Sequence, residues 1–389
     1  MVAGVRVVVV VSCAVVAAMA YALYVPLPDG FVQPWKTRVV LTVTELAISM
    51  FWVMDKVGVA NKTFLMRSME KYVRKTHSTL KVEDTEFDRV KVRTYQPRTE
   101  GATDRPAIVY FHGEDFVDAV TASLAKRLNY TVVSVEYRLA PENKFPAAFD
   151  DCVTATRYLL RNAKDFGVDP SRIAVAGDSA GGNLAAAVAL KLRDTTSDLP
   201  KVKVQVLLYP ALQAIDFETC SYRFGITPIL TRHQMIVFWS VYAQGHANYA
   251  AALQANNHTA PRVLEQLRKS RLDWSRLPRE FNAKPLASRC NGCGDVKLWA
   301  EIENVFMNPY FAPLMADDLA NLPTAYVVTA NHDVLRDDGA MYAERLRQAG
   351  NTVTHRYWHV GFHNIIIFSQ IPEGDETFDE VVGFLAENL

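Results

Sequence analysis

The chain has 389 residues, of which 50% are hydrophobic and 22% are charged, so it is long and apolar enough to bury one large core or two smaller ones. Lysine plus arginine and aspartate plus glutamate each total 42, which gives a formal net charge of zero. A neutral chain has no overall field that attracts polyanions, so nucleic acid is not an expected partner.

The cysteines and histidines do not indicate a disulfide framework or a metal site. Five cysteines are an odd count, and they lie at scattered positions. Cys290 and Cys293 flank an Asn-Gly turn pair, and either a small disulfide loop or two free thiols fits that spacing. The nine histidines form no H-E-x-x-H motif, and no second ligand pair has zinc spacing. No metal or other cofactor is therefore expected.

The first element is an uncharged run of eighteen residues from Val7 to Tyr24. As a helix it would be about 27 Å long, which is barely enough to cross a bilayer. The run predicts a transmembrane signal-anchor over residues 1–25 and a membrane as partner. Small residues at Ala18, Ala20 and Ala22 leave open a cleaved signal peptide and a secreted protein, and a buried soluble helix is the third alternative.

Three N-x-S/T sequons follow this run, beginning at Asn61, Asn129 and Asn257. They can be glycosylated only if the body of the protein is lumenal. Basic residues are nearly balanced on the two sides of the run, so charge does not fix the orientation. Asn61 and Asn257 are the glycosylation candidates, because Asn129 directly precedes a predicted buried strand.

A second apolar stretch, from Val39 to Val57, contains Glu45, Asp55 and Lys56. Charges inside a membrane span are costly, so a second crossing is not expected. The stretch predicts an amphipathic helix that serves as a cap or lies on a membrane surface, with a core helix as the alternative. It belongs to a cap and linker region assigned to residues 26–96.

From residue 97 to the end, short β-rich apolar runs alternate with longer amphipathic stretches, which is typical of helices that connect parallel strands. The segment predicts an α/β domain with a mostly parallel sheet flanked by helices. Between about 212 and 308 this alternation fails, which indicates an inserted helical cap. The predicted strands are Ala107–Phe111, Thr131–Val135, Arg172–Ala176, Val204–Tyr209, Thr324–Thr329 and Val353–Trp358.

The most informative motif is G-x-S-x-G at Gly177–Gly181, between the strand-like run Ile173–Ala176 and the helical run Asn183–Leu190. A sharp turn between a strand and a helix lifts a serine hydroxyl clear of the sheet, and glycines tolerate the crowding on both sides. Ser179 is therefore the predicted nucleophile. The amide of Ala180 then lies at a helix N-terminus, where it can stabilise a developing oxyanion.

A serine nucleophile needs a base and an acid that orients the base, and in such folds they follow in the order acid, then histidine. Asp333 comes just after a predicted strand, at the carboxyl edge where ligands bind in open α/β sheets. His363 lies in the loop after the last predicted strand. Other residues near them have structural interpretations: Asp337 and Asp338 as helix N-caps, His355 and His359 as packing or hydrogen-bonding groups.

Over nearly its whole length the chain resembles the hormone-sensitive-lipase group of serine hydrolases, in particular the arylacetamide deacetylase and neutral cholesterol ester hydrolase branch. The resemblance implies an α/β-hydrolase fold with Ser179 as nucleophile, Asp333 as acid and His363 as base. It also implies a type II endoplasmic-reticulum protein whose catalytic domain is lumenal. The motifs that carry it are Tyr24–Pro28, Tyr137–Glu142, Gly177–Ala186, Tyr209–Leu212, Asp333–Gly339 and Gly361–His363.

One motif departs from the family. Where the family has H-G-G-G-W, this chain reads His112-Gly113-Glu114-Asp115-Phe116, and the stretch that follows is shorter. The expected oxyanion donors are the amides of Ala180, Gly113 and Glu114. A carboxylate beside an oxyanion opposes the charge that it should stabilise, and loss of one donor typically lowers kcat about 10²- to 10³-fold.

Two functional hypotheses follow. The first is a serine hydrolase that cleaves lipophilic acyl esters, and aryl amides as a second class, through an acyl-enzyme. The second is a catalytically impaired, hydrolase-fold protein that binds a ligand, since the fold alone permits this. The complete set of Ser179, Asp333 and His363 favours the first, and the altered loop favours the second.

Overall fold

In the computed structural model, the residues described are 27, 29–56, 79–98, 104–113, 117–195, 198–224, 229–278, 281 and 294–389. The predictions made for the anchor at 1–25, for glycosylation of Asn61, for Glu114 in the oxyanion loop and for pairing of Cys290 with Cys293 lie outside these residues.

Eight strands form one sheet, and all neighbours are parallel except at one edge. There β1 pairs antiparallel with β2, and β2 pairs antiparallel with β4. The order across the sheet is β1-β2-β4-β3-β5-β6-β7-β8, so β5 has neighbours on both sides near the centre. The strands are β1 (Leu80–Phe87), β2 (Val90–Pro97), β3 (Arg105–Phe111), β4 (Thr131–Val135), β5 (Val168–Asp178), β6 (Val204–Leu208), β7 (Thr324–His332) and β8 (Val353–Phe362).

Helices connect the parallel strands and cover both faces of the sheet. Parallel strands need a long connection, usually a helix, because the chain must return to the end of the sheet at which each strand begins. The helices are α1 (Pro34–Lys56), α2 (Val117–Leu128), α3 (Ala147–Asn162), α4 (Ala180–Asp194), α5 (Cys220–Phe224), α6 (Arg232–Gln244), α7 (Ala250–Gln254), α8 (Pro261–Arg268), α9 (Val296–Phe306), α10 (Arg336–Gln348) and α11 (Pro372–Asn388).

Each face of the sheet has its own hydrophobic core. In β3, Ile108 and Tyr110 pack with α2 and α11, whereas Val109 and Phe111 pack with α3, α4 and α10 on the other face. Successive strand residues point to opposite faces, so a strand covered on both sides must be apolar throughout. This explains why the central strands appear in the sequence as continuous apolar runs.

All six predicted strands are present, and most extend further than predicted. The sheet nevertheless begins at Leu80, within the region that was assigned to a cap and linker, and the boundary predicted at residue 97 is therefore corrected. The reason is that β1 is an edge strand whose residues are mostly exposed, and it carries Lys81, Glu83 and Asp84. Such a strand shows no apolar run that a sequence pattern could detect.

The segment between β6 and β7 forms helices α5 to α9, and its described residues contain no strand; that this segment serves as a cap stays a prediction. Helix α1 overlaps the predicted amphipathic stretch but begins five residues earlier, at Pro34. Its residues Thr37 and Leu41 are buried, and Leu41 packs near the end of β8. None of the helices in the described ranges is long and apolar enough to cross a bilayer.

Candidate active site

The three predicted catalytic residues each directly follow the last residue of a strand. Ser179 follows β5, Asp333 follows β7 and His363 follows β8. These three strands run parallel, so their carboxyl ends lie at the same edge of the sheet. The topology therefore brings together residues that are as many as 184 positions apart in the chain.

Ser179 occupies a strained backbone conformation between β5 and α4, with φ +56° and ψ −116°. A non-glycine residue there costs on the order of 1–3 kcal/mol, so the surroundings must hold it in place. The Ser179 N–H donates to the Leu208 carbonyl at 2.9 Å, and the Ser179 carbonyl accepts from the Asn183 N–H at 3.1 Å. The central strand pair and the first turn of α4 thus fix the elbow from both sides.

The glycines around Ser179 are required by close backbone contacts. A Cβ atom at Gly177 would lie 2.3 Å from the Gly181 carbonyl oxygen. A Cβ atom at Gly181 would lie 1.8 Å from the Phe111 carbonyl oxygen. Both distances are far below van der Waals contact, so the turn can be this tight only with glycine at both positions.

His363 bridges the nucleophile and the acid. Its Nδ1 lies 2.8 Å from Asp333 Oδ2, and its Nε2 lies 3.0 Å from Ser179 Oγ. Asp333 and His363 are almost completely buried, at 0% and 1% exposure. The second oxygen of Asp333 accepts from the Leu335 N–H at 2.9 Å, which fixes the carboxylate. This geometry allows one imidazole to take a proton from Ser179 while a carboxylate orients it.

Tyr209 is a residue of this site that the motif analysis did not single out. It is fully buried, and its ring lies edge-on to His363 with 5.0 Å between the ring centroids. Its backbone has φ +38°, and its N–H donates to the Val328 carbonyl at 2.8 Å. Tyr209 therefore packs against the imidazole and limits its rotation. In the sequence, Tyr209 is marked only as the first residue of the Tyr209–Leu212 motif shared with the family.

The oxyanion side of the site has an unexpected hydrogen bond. Ala180 begins α4, as predicted, with Ser179 at the N-cap position. The Gly113 N–H, however, donates to Asp178 Oδ2 at 3.3 Å. The other Asp178 oxygen accepts from the Tyr110 hydroxyl at 2.7 Å, and burial together with the nearby carboxylate raises the pKa of Tyr110 well above its usual value. The roles of Ala180 and Gly113 as oxyanion donors stay predictions.

The segment before Glu114 is also held by Tyr137. The Tyr137 ring stacks on His112 with 4.5 Å between centroids, and its hydroxyl donates to the His112 carbonyl. Next to it, Arg138 forms a bidentate ion pair with Asp151, in which its Nε and Nη2 lie 2.9 and 2.8 Å from the two carboxylate oxygens. These contacts hold His112 against the loop that follows β4, and they tie that loop to α3.

An apolar pocket of about 190 Å³ opens beside Ala180 and Gly113. Helix α6 of the cap supplies a third of its wall, and the loop after β4 supplies another part. The segment between β6 and β7 thus forms part of the wall of this pocket. The lining residues are Gly113, Tyr137, Arg138, Leu139, Ala140, Ala148, Ala180, Asn183, Leu184, Ala211, Met235, Phe238, Trp239, Val241 and Tyr242.

The expectation that Asp337 and Asp338 cap a helix is wrong. Helix α10 begins at Arg336 with Leu335 as N-cap residue, and both aspartates lie inside its first turn. Asp337 Oδ2 accepts from the Ser221 N–H at 2.8 Å. The two oxygens of Asp338 accept from the Leu212 N–H at 3.2 Å and from Gln213 at 3.0 Å. Burial raises the pKa of Asp338 well above its usual value. Both carboxyls brace the Asp333 segment against the start of the cap.

The remaining sequence-based candidates lie away from the nucleophile. His355 bonds Thr329 Oγ1 at 2.8 Å, as expected for a structural residue, and His359 is exposed. At the Asn257 sequon, the Thr259 hydroxyl is fully buried and donates to a backbone carbonyl at 3.1 Å, which disfavours modification after folding. No cluster of three potential metal ligands occurs within the described ranges.

A family model of the α/β-hydrolase fold matches residues 108–270 and 266–367 of the chain. The chain belongs to the α/β-hydrolase family. Neutral cholesterol ester hydrolase 1 of Rattus norvegicus is 36% identical to this hydrolase over 407 residues, which cover 98% of this chain and 99% of the relative. Arylacetamide deacetylase of Oryctolagus cuniculus is 36% identical over 388 residues, which cover 95% and 96%. The resemblance predicted from the motifs is thereby confirmed.

Solved esterase structures share the fold of this hydrolase. A thermostable esterase from Pseudomonas putida superposes with a TM-score of 0.62 at 26% identity, over 84% of this chain and 89% of the esterase. A bacterial heroin esterase also gives a TM-score of 0.62, at 27% identity, over 83% and 90%. The predicted α/β-hydrolase architecture is confirmed by these comparisons and by the sheet.

Proposed function

We propose that this protein is a serine hydrolase that cleaves carboxylic esters with lipophilic acyl groups, and aryl amides as a second class of substrate. The observation that supports this most directly is the position of His363, within hydrogen-bonding distance of both Ser179 Oγ and Asp333 Oδ2. A buried serine–histidine–aspartate arrangement at a strained elbow has a cost in stability, and acyl transfer gives it a chemical use.

The proposed reaction proceeds in two halves. His363 Nε2 accepts the Ser179 proton as Oγ attacks the substrate carbonyl, and Asp333 stabilises the imidazolium. The Ala180 amide, at the N-terminus of α4, stabilises the negative oxygen of the tetrahedral intermediate. His363 then gives its proton to the leaving alcohol or amine, which breaks the ester or amide bond. Water attacks the acyl-enzyme with the same proton transfers and releases the acid.

The apolar pocket supports a lipophilic substrate. Leu139, Phe238 and Trp239 line it, and it opens next to the amide that would face the oxyanion. An acyl chain or aromatic ring in this pocket would be removed from water, which contributes about 25 cal/mol for each Å² of apolar surface. The relatives whose names mention cholesterol esters and arylacetamides agree with that substrate class.

The proposed location is the endoplasmic-reticulum membrane, as a single-pass type II protein with a lumenal catalytic domain. The uncharged run over residues 7–24 and the sequons after it support this proposal. Secretion after signal cleavage is the alternative. Sequencing of the mature amino terminus distinguishes the two, because a chain cleaved after Ala20 or Ala22 would begin at Tyr21 or Leu23. Endoglycosidase treatment of Asn61→Gln and Asn257→Gln variants reports which sequon is used.

Labelling with a fluorophosphonate probe tests the chemistry. The folded protein should be labelled covalently, and Ser179→Ala should abolish labelling while the thermal unfolding midpoint stays close to that of the wild type. The rival function, a ligand-binding protein on a hydrolase scaffold, is favoured by the HGED sequence and by the Gly113–Asp178 hydrogen bond. Absence of labelling in correctly folded wild-type protein would support that rival and refute the hydrolase.

A further inference from the structure

Helix α1 has an exposed apolar stripe along one side. Nine large hydrophobic side chains are prominently exposed among the described residues, and six of them lie between positions 32 and 50. Clusters of this kind on a protein surface mark interaction sites, whereas single exposed apolar residues do not. The six are Val32 (72% exposed), Trp35 (69%), Val39 (54%), Val43 (60%), Leu46 (47%) and Met50 (54%).

Five of these residues, from Trp35 to Met50, follow the period of the helix. Their separations of four, four, three and four residues place them within about 80° of the helix circumference, over a length of about 22 Å. The opposite side of α1 is already occupied, because Thr37 and Leu41 are buried. The helix therefore has two apolar sides, and the described part of the chain covers only the one that carries Thr37 and Leu41.

The buried side of α1 packs beside the catalytic histidine. Phe31 and Leu41 share a small hydrophobic cluster with Phe362, Ile365 and Phe368, and the Phe31 and Phe362 ring centroids are 5.9 Å apart. Phe362 directly precedes His363 in the chain. A body that rests on the exposed stripe would thus lie only one helix thickness from the loop that carries the catalytic base.

Sequence position indicates what covers the stripe. The uncharged run ends at Tyr24, and α1 begins at Pro34. Residues 25–33 can span at most about 35 Å, so a bilayer that held the run would lie close to α1. The stripe ends in a tryptophan, a residue that favours the boundary between lipid and water. Helix α1 is also too polar to cross a membrane, whereas helices with one apolar side lie on it.

We propose that α1 is a membrane-surface helix, and that its stripe from Trp35 to Met50 is inserted into the apolar interface of the bilayer. The consequence goes beyond anchoring, because a flexible tether alone would leave the catalytic domain free to tumble. Two contacts, one spanning and one lying on the surface, fix the orientation of the domain relative to the lipid. The loop that carries His363 is then held next to the bilayer, where a lipophilic ester would be dissolved.

Photo-crosslinking in the full-length chain tests the contact directly. p-Benzoylphenylalanine replaces Val43, and the protein is incorporated into phosphatidylcholine vesicles that contain a trace of tagged phosphatidylcholine. Val296, a 64% exposed valine at the start of α9, is the matched control position. We expect a crosslink to lipid at position 43 at least about tenfold stronger than at 296, as an inserted side chain requires. Crosslinks at 43 to another part of the chain, to a second copy, or to nothing would each overturn the proposal.

A pair of glutamates tests the functional consequence. In vesicles, Val39→Glu combined with Val43→Glu should lower the hydrolysis of a long-chain diacylglycerol by roughly tenfold, because charges oppose insertion. Hydrolysis of soluble p-nitrophenyl acetate by the same protein should change less than twofold, and Val296→Glu should affect neither rate. Equal loss on both substrates would mean damage to the fold and would refute the orienting role. This arm rests on the proposed hydrolase function, whereas the crosslink is informative even if no ester is cleaved.

Discussion

Asp333→Asn is the sharpest perturbation of the proposed mechanism, because it alters one atom of the carboxyl group. Asp333 Oδ1 accepts from the Leu335 N–H at 2.9 Å, and Oδ2 contacts His363 Nδ1 at 2.8 Å. In the asparagine variant the amide oxygen can keep the backbone contact, and the NH₂ group then faces the imidazole. Nδ1 must become an acceptor, so the proton moves to Nε2. The nitrogen that faces Ser179 at 3.0 Å can no longer take its proton.

The expected loss in kcat is about 10⁴-fold, which is the effect of the same change in a serine-protease triad. That factor corresponds to about 5.5 kcal/mol of transition-state stabilisation. The fold should tolerate the substitution, because the volume of the side chain is nearly unchanged and both hydrogen bonds can be kept, the one to His363 with its direction reversed. The variant therefore separates chemistry from stability, as a deletion to alanine would not.

The assay is burst and steady-state hydrolysis of a p-nitrophenyl ester, with thermal unfolding measured on the same samples. Asp375→Asn, at an exposed position in the first turn of α11, is the matched control and should retain wild-type kcat. A variant of Asp333 that keeps kcat within tenfold of the wild type would refute the assignment of the acid. The buried carboxyls of the α10 first turn would then be the next candidates.

Three further predictions test particular contacts, two of them with a control substitution. Gly181→Ala should abolish activity and lower the free energy of unfolding by at least about 1–3 kcal/mol, since its Cβ would lie 1.8 Å from a backbone oxygen. The control is Gly383→Ala in the open part of α11, which should raise the free energy of unfolding by up to about 1 kcal/mol; chemical denaturation measures both. Asp178→Ala, which removes both acceptors, should lower kcat about tenfold or more by releasing Gly113. Tyr110→Phe, which removes only the other bond of that carboxylate, should affect stability more than kcat; equal kcat losses would contradict this. Burial lowers the pKa of His258 to about 4, so the unfolded state binds more protons between about pH 6.5 and 4, and this histidine alone should cost the wild type up to about 3 kcal/mol of unfolding free energy over that range. His258→Gln should remove that contribution and leave the similar one of His355, whose pKa burial also lowers to about 4.

The elbow was predictable because its signals are local. Ser179 is flanked by a strand, a helix and two glycines, and each of these features lies within a few residues of it. Asp333 and His363 followed from their positions after predicted strands, because parallel topology brings those strand ends to one edge. Where local pattern and global topology agree, the sequence is sufficient.

The contacts that support the triad were not predictable, because their partners are distant in the chain. Asp337 bonds a backbone amide 116 residues away, and Asp338 bonds one 126 residues away. By proximity alone each resembled a helix cap, and only the folded chain shows a tertiary role. Tyr209 was missed for the same reason, since its contact with His363 spans the sheet edge. Edge strand β1 was missed because it has almost no buried residues to form a pattern.

The two functional hypotheses differ over the altered oxyanion loop. Its described residues, His112 and Gly113, are held in place by several contacts. Gly113 lies so close to the nucleophile that a Cβ atom there would be 2.8 Å from the Ser179 Cβ. Its amide is held by Asp178, and the preceding carbonyl is held by Tyr137. Gly113 therefore enters the site in a fixed position, and the amide of Ala180 lies at the start of α4. If Ala180 donates as proposed, a single further amide would complete a functional oxyanion hole.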